Sequence, residues 1–218
     1  MPENIPNIDT SLFAHGIKNR LSFIRSRLQL MELEKGEKGA YDSIYRELDG
    51  INDSICRLIS APAGAGEKST FNAKDVIYEC VSEKMPQANL NGIKIICRTE
   101  DDLTIHAVKS GFRETVINLL QNAIEACPKE GGEIEVAGKT CGGKAEISVS
   151  DNGCGISEGN RKNIFKPFFT TKKSGSGIGL YSCRKFAEDS GGELTVAGNR
   201  TKGTKVTLIL PVSQGRCP

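Results

Sequence analysis

Two stretches near the start of the chain carry apolar residues at helical spacing. Between about Thr10 and Ser60 there is no proline, and apolar residues recur at steps of three and four. Such steps place them along one side of a helix. The first stripe is Phe13, Ile17, Leu21, Ile24, Leu28 and Met31, and the second is Ile44, Leu48, Ile51, Ile55 and Leu58. The short glycine-containing segment 35–39 between them predicts an antiparallel helical hairpin.

Two helices alone cover both apolar stripes poorly. Two hairpins that associate into a four-helix bundle would bury them, so we predict a homodimer through residues 10–60. Segment 61–66, Ala-Pro-Ala-Gly-Ala-Gly, has the composition of a linker. We therefore predict a helical hairpin domain over residues 1–62, a linker over 63–66 and a second domain over 67–218.

Beyond the linker the pattern alternates and predicts an α+β domain. Helices are expected over about 73–84, 110–127 and 178–190, and strands over about 93–98, 103–106, 133–138, 144–150, 193–197 and 205–210. Cys141-Gly142-Gly143 separates two of these strands and favours a hairpin. The last two strands are expected to join the same sheet, with helices on one face.

Charge and composition narrow the function classes. Lys and Arg number 29 against 27 Asp and Glu, which is too balanced for a nucleic-acid-binding surface. No apolar run approaches the roughly 20 residues of a membrane helix, and the polar start lacks the features of a signal peptide. We therefore expect a cytoplasmic protein without a transmembrane segment. The eight cysteines are scattered without a CxxC pair, so reduced structural thiols are expected rather than a zinc site.

Two glycine clusters suggest a phosphate-binding site. The first spans residues 151–155, and the second spans 175–180 and leads directly into a predicted helix. Backbone amides and a helix N-terminus in that arrangement can hold a phosphate group, although glycine-rich turns are common and the cluster alone is weak evidence.

The helix over about 110–127 has an unusual polar face. Its apolar stripe is Phe112, Val116, Leu119, Ala123 and Cys127. Glu114, Asn118 and Asn122 are left together on the other face, one turn apart. A solvated surface would explain them, but asparagine is a mediocre helix former. Two stacked amides therefore favour a bound ligand, and a metal-phosphate unit is one candidate.

Five motifs in order resemble a known family. They are Asn-Leu-Leu-Gln-Asn-Ala at 118–123, Asp-Asn-Gly-Cys-Gly at 151–155, Ile-Phe-Lys-Pro-Phe-Phe-Thr-Thr-Lys at 164–172, Gly-Ser-Gly-Ile-Gly-Leu at 175–180, and Gly203-Thr204. The series resembles the N, G1, F, G2 and G3 boxes of the histidine-kinase catalytic domain. The resemblance covers residues 70 to 211 and implies the Bergerat-type α/β sandwich that binds ATP, shared with DNA gyrase, Hsp90 and MutL.

The resemblance also implies a set of residues that bind ATP and Mg²⁺. They are Asn118, Asn122, Asp151, Gly153, Gly155, Phe168, Lys172, Gly175, Gly177, Gly179, Leu180 and Thr204. Asp151 would receive the adenine amino group, and Asn122 would ligate Mg²⁺ with Asn118 nearby on the phosphates. The segment 165–174 would form a mobile lid, with Lys172 as a phosphate contact.

His15 is the expected phosphate acceptor. Phe-Ala-His-Gly-Ile-Lys-Asn-Arg-Leu at 13–21 resembles the H-box of the dimerisation and phosphotransfer domain of histidine kinases. Helical geometry places His15 opposite the apolar stripe, so it should be exposed, and a neutral imidazole is a competent nucleophile. The family role implies transfer onward to an aspartate of a response regulator receiver domain.

Two neighbours of His15 bear on its chemistry. Many kinases of this family carry an acidic residue directly after the histidine, but here that position is Gly16. The group that would orient or deprotonate the imidazole is therefore not identified. Asn19, one turn further on, occupies the position associated in the family with positioning water for dephosphorylation of the regulator. The other histidine, His106, ends a predicted strand and is expected to be structural.

Two other functions stay open at this stage. An ATP hydrolase or serine kinase of the same fold tends to carry a glutamate one turn before the magnesium-binding asparagine, where this chain has Asn118. A phosphotransferase or binding module without ATP use is the second alternative, and the intact motifs argue against it. Fourteen residues precede His15, so we expect a signal from a separate sensor protein unless the chain is the core of a longer one.

Overall fold

The first two helices contact each other through a small apolar and charged interface. In the computed structural model, α1 spans Thr10–Lys35 and α2 spans Asp42–Ile59. Leu21 and Leu48 are buried against each other, with 8% and 6% exposed. Arg25 pairs with Asp49 at 2.5 Å. Since Tyr45 donates to Glu32 farther along α1, at 3.4 Å, the two helices run antiparallel.

The structure describes residues 10–36, 39–59, 66–167, 169–172, 177–198 and 202–212, and for residues 10–16, 18, 19, 35 and 52–59 it describes the backbone alone. The chain divides into two compact units, residues 1–62 with 167–176 and residues 63–166 with 177–218. Within the described ranges, no helix is both long and apolar enough to cross a membrane.

The second unit mixes strands and helices in the order that the sequence predicts, with two additions. The strands are β1 (Ser69–Asn72), β2 (Ile93–Thr99), β3 (Thr104–Ala107), β4 (Gly132–Cys141), β5 (Lys144–Asp151), β6 (Glu193–Gly198) and β7 (Thr204–Pro211). The helices are α3 (Ala73–Leu90), α4 (Lys109–Ala126), α5 (Glu158–Arg161) and α6 (Gly179–Asp189). Strand β1 and the short helix α5 are absent from the sequence-based prediction.

Five of the strands form one sheet in the order β2-β4-β5-β7-β6. Strands β2 and β4 are parallel, and the other neighbours are antiparallel. The predicted hairpin between β4 and β5 is confirmed. Gly142 and Gly143 both have positive φ, at 57° and 73°, which a tight two-residue hairpin turn requires.

One face of this sheet forms the core with the helices. Alternate residues of the central strands, Ile134, Val136, Ala145, Ile147, Val149, Leu208 and Leu210, are almost fully buried. Helix α4 contacts α3, α6 and β5, and its Phe112 is fully buried. The Phe112 ring lies 5.6 Å from that of Phe71 and 6.5 Å from that of Phe186. The mixed α+β sandwich is therefore confirmed, with α4 at its centre.

The structure corrects the end of α3 and adds the strand β1. Helix α3 begins as predicted, where the Asn72 side chain accepts from the Lys74 amide at 2.9 Å. Its predicted end at Lys84 is too early, because the helix continues past Pro86 and places Ala88 in the core with no exposed surface. Strand β1 pairs with β3 in a separate two-stranded sheet, in which the Thr70 hydroxyl hydrogen-bonds His106 at 3.1 Å.

Candidate nucleotide site

A buried carboxylate lies at the end of β5. Asp151 is 5% exposed, and its Oδ1 accepts hydrogen bonds from the amides of Gly153 at 2.8 Å and Thr204 at 3.2 Å. Burial raises the pKa of the Asp151 carboxyl above its ordinary value, while these two hydrogen bonds lower it. The carboxylate is therefore oriented by the backbone and can accept a hydrogen bond from a ligand with high directional selectivity.

Glycines allow the backbone around Asp151 to pack this closely. A Cβ on Gly153 would lie 2.3 Å from the carbonyl oxygen of Ala126, the last residue of α4. The next amide, that of Cys154, donates to the same oxygen at 3.1 Å. Gly203 has a φ of 114°, and a Cβ there would lie 2.1 Å from the Asp151 carbonyl oxygen. A side chain at either position would push the loops apart and misplace the carboxylate.

Asn152 is a structural residue of this loop that the sequence analysis does not single out. Its side-chain oxygen accepts from the Glu133 amide at 2.9 Å, and its side-chain nitrogen donates to the Gly131 carbonyl at 2.8 Å. These bonds join the loop after β5 to the start of β4. Sequence spacing could not reveal them, because the partners are about twenty residues away.

A second polar group lies between α4 and the start of α6. Asn118 and Asn122 are half-buried on α4, and Gly179 is the first residue of α6. A Cβ on Gly179 would lie 3.8 Å from Asn122 Nδ2 and 3.9 Å from Asn118 Oδ1. The residue before the helix, Ile178, offers no side-chain cap. The helix N-terminus, which attracts anions, therefore adjoins both amides.

Helix α4 connects these two groups of residues. Asn122 lies one turn before Ala126, whose carbonyl contacts the loop of Gly153 and Cys154. The structure thus brings together seven of the residues that the sequence analysis names. They are Asp151, Gly153, Gly155 and Thr204 at the strand ends, and Asn118, Asn122 and Gly179 at the helices.

The other named residues lie elsewhere in the structure or outside the described residues. Leu180 packs against the main core, and Gly177 has a φ of 68°. Lys172 is exposed, and its amide donates to the Thr170 hydroxyl at 3.1 Å. Phe168 and Gly175 lie outside the described residues, as do the side chains of His15 and Asn19, whose backbones are helical in α1.

The start of the expected lid segment is anchored to the second unit. Phe165 packs against the main core, and the Arg184 guanidinium lies 5.2 Å from the centre of its ring. Arg184 also pairs with Glu188 at 2.8 Å on the exposed side of α6. Phe165, the first residue of the expected lid segment, is therefore part of the core of the second unit.

The side-chain amides of Asn118 and Asn122 suit a magnesium-phosphate group. Among the side chains that the structure describes, no cluster of three or more His, Cys, Asp or Glu could hold a metal ion. Mg²⁺ commonly takes only one or two protein oxygen ligands, with phosphate oxygens and water completing its shell. The two amides match that requirement, because they adjoin the N-terminus of α6, where the N-cap residue Ile178 makes no side-chain hydrogen bond, and because the phosphates themselves would supply the remaining charge.

Comparisons with known proteins point to one family. The family described as histidine kinase-, DNA gyrase B-, and HSP90-like ATPase matches residues 107–214, which include every site residue of the second unit. Sporulation kinase D of Bacillus subtilis is 32% identical over 208 residues, covering 92% of this chain and 40% of that protein. The AtoS histidine kinase of Escherichia coli is 29% identical, with 92% and 34% covered. The chain therefore spans less than half the length of these relatives.

Two solved structures of histidine kinase ThkA are similar to this chain. The catalytic domain of histidine kinase ThkA is 33% identical, with a TM-score of 0.63, and the match covers 67% of this chain and 96% of that one. ThkA in complex with the response regulator TrrA is 28% identical with a TM-score of 0.61, covering 94% of this chain and 61% of that one. Because this chain covers 96% of the ThkA catalytic domain at 33% identity, it belongs to the two-component sensor histidine kinases. Its ATP-binding domain is of the Bergerat type, also called GHKL.

Proposed function

We propose that this chain is an autokinase core that uses ATP and Mg²⁺ to phosphorylate His15 and then passes the phosphoryl group to an aspartate of a response regulator receiver domain. The observation that carries the proposal is the pairing of the buried, amide-held Asp151 with the Asn118, Asn122 and α6 group in one site. The same chain carries a histidine on a long helix, in a motif that resembles a phosphate acceptor.

In this proposal the residues at the strand ends recognise the adenine. Asp151 accepts the hydrogen bond of the adenine amino group, and Gly153, Gly155 and Thr204 form the walls of the pocket. The orientation of Asp151 supports this role, since both amides that hold it approach the same oxygen. Because an oriented acceptor loses little entropy on binding, it discriminates strongly between adenine and bases that present an acceptor at that point.

The residues at the helices, Asn118, Asn122 and Gly179, hold the phosphates. The amides at the start of α6 face the triphosphate, and Asn122 with Asn118 contributes to the metal site. Bound Mg²⁺ would neutralise phosphate charge during transfer. We assign Phe168, Lys172, Gly175, Gly177 and Leu180 to the lid segment and its hinge, where Lys172 adds positive charge and closure excludes water.

His15 is the proposed nucleophile. A neutral imidazole nitrogen attacks the γ-phosphorus, and ADP leaves. Gly16 supplies no carboxylate to orient the ring, so a group elsewhere must do so. Asn118 stands where hydrolases and serine kinases of this fold tend to have a glutamate, and this difference favours transfer to a histidine over transfer to water or serine.

The surface of α1 supports a protein partner. Phe23, Leu30 and Leu33 are 64%, 57% and 77% exposed. Phe23 follows His15 by two steps of four along the helix, and Leu30 and Leu33 continue the same face. An exposed apolar row next to a phosphate acceptor is suited to docking the acceptor domain. The solved ThkA complex contains a response regulator. Asn19, on this face, is the residue proposed to position water for dephosphorylation.

A second copy of the chain is the proposed cover for the other helix face. Leu21 and Leu48 are buried within one chain, but Ile24, Ile44 and Ile51 of the same stripes remain 44%, 43% and 45% exposed. A single hairpin therefore leaves much of its apolar surface in water, and a four-helix bundle through residues 10–60 would remove it.

Replacing Ile51 with aspartate is expected to break the dimer, because a carboxylate buried in an apolar interface loses its hydration. Sedimentation velocity at micromolar concentration should give a dimer for the native chain and a monomer for Ile51→Asp. Leu90→Asp is the control, since Leu90 ends α3 and is 89% exposed. A dimer that survives Ile51→Asp would contradict the bundle.

Replacing His15 with glutamine is expected to abolish autophosphorylation. With γ-labelled ATP and Mg²⁺, the native chain should acquire acid-labile label, and His15→Gln should acquire none. His106→Gln is the matched control and should keep the label, because His106 is an exposed side chain of β3 that bonds Thr70 of β1. Label that persists in His15→Gln, or that resists acid, would overturn the acceptor assignment.

Replacing Asp151 with asparagine is expected to weaken the binding of ATP and to reduce the preference of the site for ATP over GTP. The amide oxygen can still accept from Gly153 and Thr204, so the new amino group would face the adenine amino group, donor against donor. Losing a charge-assisted hydrogen bond costs about 1.5–3 kcal/mol, or roughly 10- to 150-fold in affinity. Titration with non-hydrolysable ATP and GTP analogues measures both effects. Asp102→Asn, at an exposed carboxylate, should change neither, and an unaltered ATP affinity in Asp151→Asn would refute the adenine contact.

Replacing Gly179 with alanine is expected to block phosphate binding without unfolding the chain. The added methyl meets Asn118 and Asn122 at ordinary contact distances, but it occupies the space between them and the helix N-terminus. Such crowding costs about 1–3 kcal/mol, or roughly 5- to 150-fold in ATP affinity. Thermal unfolding should stay unchanged or rise, since alanine favours a helix. Gly159→Ala, with open space around it, is the control, and equal ATP affinity in both variants would count against the site.

A further inference from the structure

Two cysteines lie beside each other at the edge of the proposed adenine pocket. Cys127 caps the C-terminus of α4, and Cys154 lies in the loop after β5, between Gly153 and Gly155. The Cys154 amide donates to the carbonyl oxygen of Ala126, the residue directly before Cys127, at 3.1 Å. With ordinary bond lengths on both sides of this hydrogen bond, the Cα atoms of the two cysteines lie within about 7 Å of each other. Disulfides join Cα atoms that are roughly 4.4–6.8 Å apart, so the pair is close enough to form one.

The side chain of Cys127 is turned toward the same loop. Its Sγ lies 3.7 Å from the side-chain oxygen of Asn152 and 3.8 Å from the carbonyl oxygen of Glu133. Asn152 precedes Cys154 by two residues and ties this loop to the start of β4. The Cys127 thiol is therefore directed at the segment that carries the other cysteine.

The two thiols differ in their access to solvent. Cys154 is exposed, whereas Cys127 is half-buried. Burial raises the pKa of the Cys127 thiol above its ordinary value. A peroxide in solution is therefore expected to react at Cys154 first. The Cys154 Sγ lies 3.7 Å from the carbonyl oxygen of Gly155 in its own loop, so its side chain can turn toward Cys127 without disturbing the core.

We propose that Cys127 and Cys154 are a redox-sensitive pair, which hydrogen peroxide converts into a disulfide that weakens the adenine pocket. In the first step, the Cys154 sulfur takes one oxygen atom from the peroxide to form a sulfenic acid, and water leaves. In the second step, the Cys127 sulfur attacks the Cys154 sulfur and the S–O bond breaks. The hydroxide leaves with the Cys127 proton as a second water. A thiol reductant reverses the bond by exchange.

The disulfide is expected to disturb the pocket because the loop has no spare space on the side of α4. A Cβ on Gly153 would lie 2.3 Å from the Ala126 carbonyl oxygen, and the Gly153 amide donates to Asp151. To form the bond, the Cys127 sulfur must leave the Asn152 oxygen, and the Cys154 sulfur must move toward it. A shift of this tightly packed loop misaligns the Asp151 carboxylate. For this effect on ATP, the inference rests on the proposed function.

The first test is chemical and needs no nucleotide. The native full chain is treated with hydrogen peroxide, alkylated, cleaved after lysine and arginine, and analysed by mass spectrometry. Cleavage places the two cysteines on separate peptides, 114–129 and 145–161, which should be found joined and should separate with dithiothreitol. Cys127→Ser and Cys154→Ser should each lack the joined peptide. Peptides that stay separate in the native chain, or a bond from Cys154 to another cysteine, would overturn the inference.

The second test compares the affinity for a non-hydrolysable ATP analogue before and after peroxide, within each variant. The oxidised native chain should bind roughly 10-fold more weakly, the effect of losing a hydrogen bond to a charged group, and dithiothreitol should restore the affinity. Cys127→Ser and Cys154→Ser should each show no change on oxidation. Cys141→Ser is the matched control and should keep the full response, because Cys141 is an exposed thiol at the far end of β4.

The outcomes separate the pair from the proposed function. A peroxide response that persists in Cys127→Ser would mean that oxidation of Cys154 alone suffices, and it would overturn the role of the pair. A disulfide that forms without changing the affinity would overturn its effect on the pocket. A reduced native chain that binds no ATP analogue would overturn the proposed function instead, and the mass spectra would still decide whether the two cysteines join.

Discussion

The buried carboxylate of Asp151 sets the arrangement of the second unit around its site. An ionised carboxylate with little contact with water is costly unless it is hydrogen-bonded, and here two backbone amides from different parts of the chain approach its Oδ1. One belongs to the loop that follows β5, and the other begins β7. The close approach of these segments excludes a side chain at Gly153 and at Gly203. One polar group thus dictates the composition of two loops that are about fifty residues apart.

Helix α4 serves two purposes, and its sequence reflects both. Its inner side supplies Phe112, Val116 and Leu120, all without exposed surface, to the core against α3, α6 and β5. Its polar side carries two asparagines at some cost in helix propensity. The C-terminal carbonyl of the same helix receives the Cys154 amide. Because the core fixes α4 so firmly, the loop of Asp151 and the Asn118 and Asn122 side chains are held in one frame, which would reduce the entropy lost if a nucleotide binds there as proposed.

The helical unit is stabilised differently. Among its described side chains, the core within one chain is small and centred on Leu21 and Leu48, and its Arg25–Asp49 pair is partly exposed and therefore worth little. Two helices with so few buried contacts among their described side chains would be marginal in water on their own. A second copy would add stability by burying the exposed apolar residues of the same stripes. The association of two chains and the folding of this unit are therefore expected to be coupled.

Local patterns in the sequence determined most of the elements. Steps of three and four predicted α1, α2 and α4, Asn72 predicted the start of α3, and Gly142-Gly143 predicted the β4–β5 hairpin, because each signal is contained within a few neighbouring residues. Ordered motifs named the seven residues that the fold brings together. Strand β1 escaped detection because its polar residues become a strand only by pairing with β3. The extension of α3 past Pro86 was missed because the burial of Ala88 depends on the core.

What only the tertiary structure decided is how side chains far apart in the chain orient one another. Asn152 gains its partners at Gly131 and Glu133 through the adjacency of β4 and β5. Cys183 of α6 meets the carbonyl oxygen of Thr115 because α4 and α6 pack together. A sequence pattern records the type and spacing of residues, but the direction of an amide or a carboxylate depends on donors and acceptors that folding brings next to it.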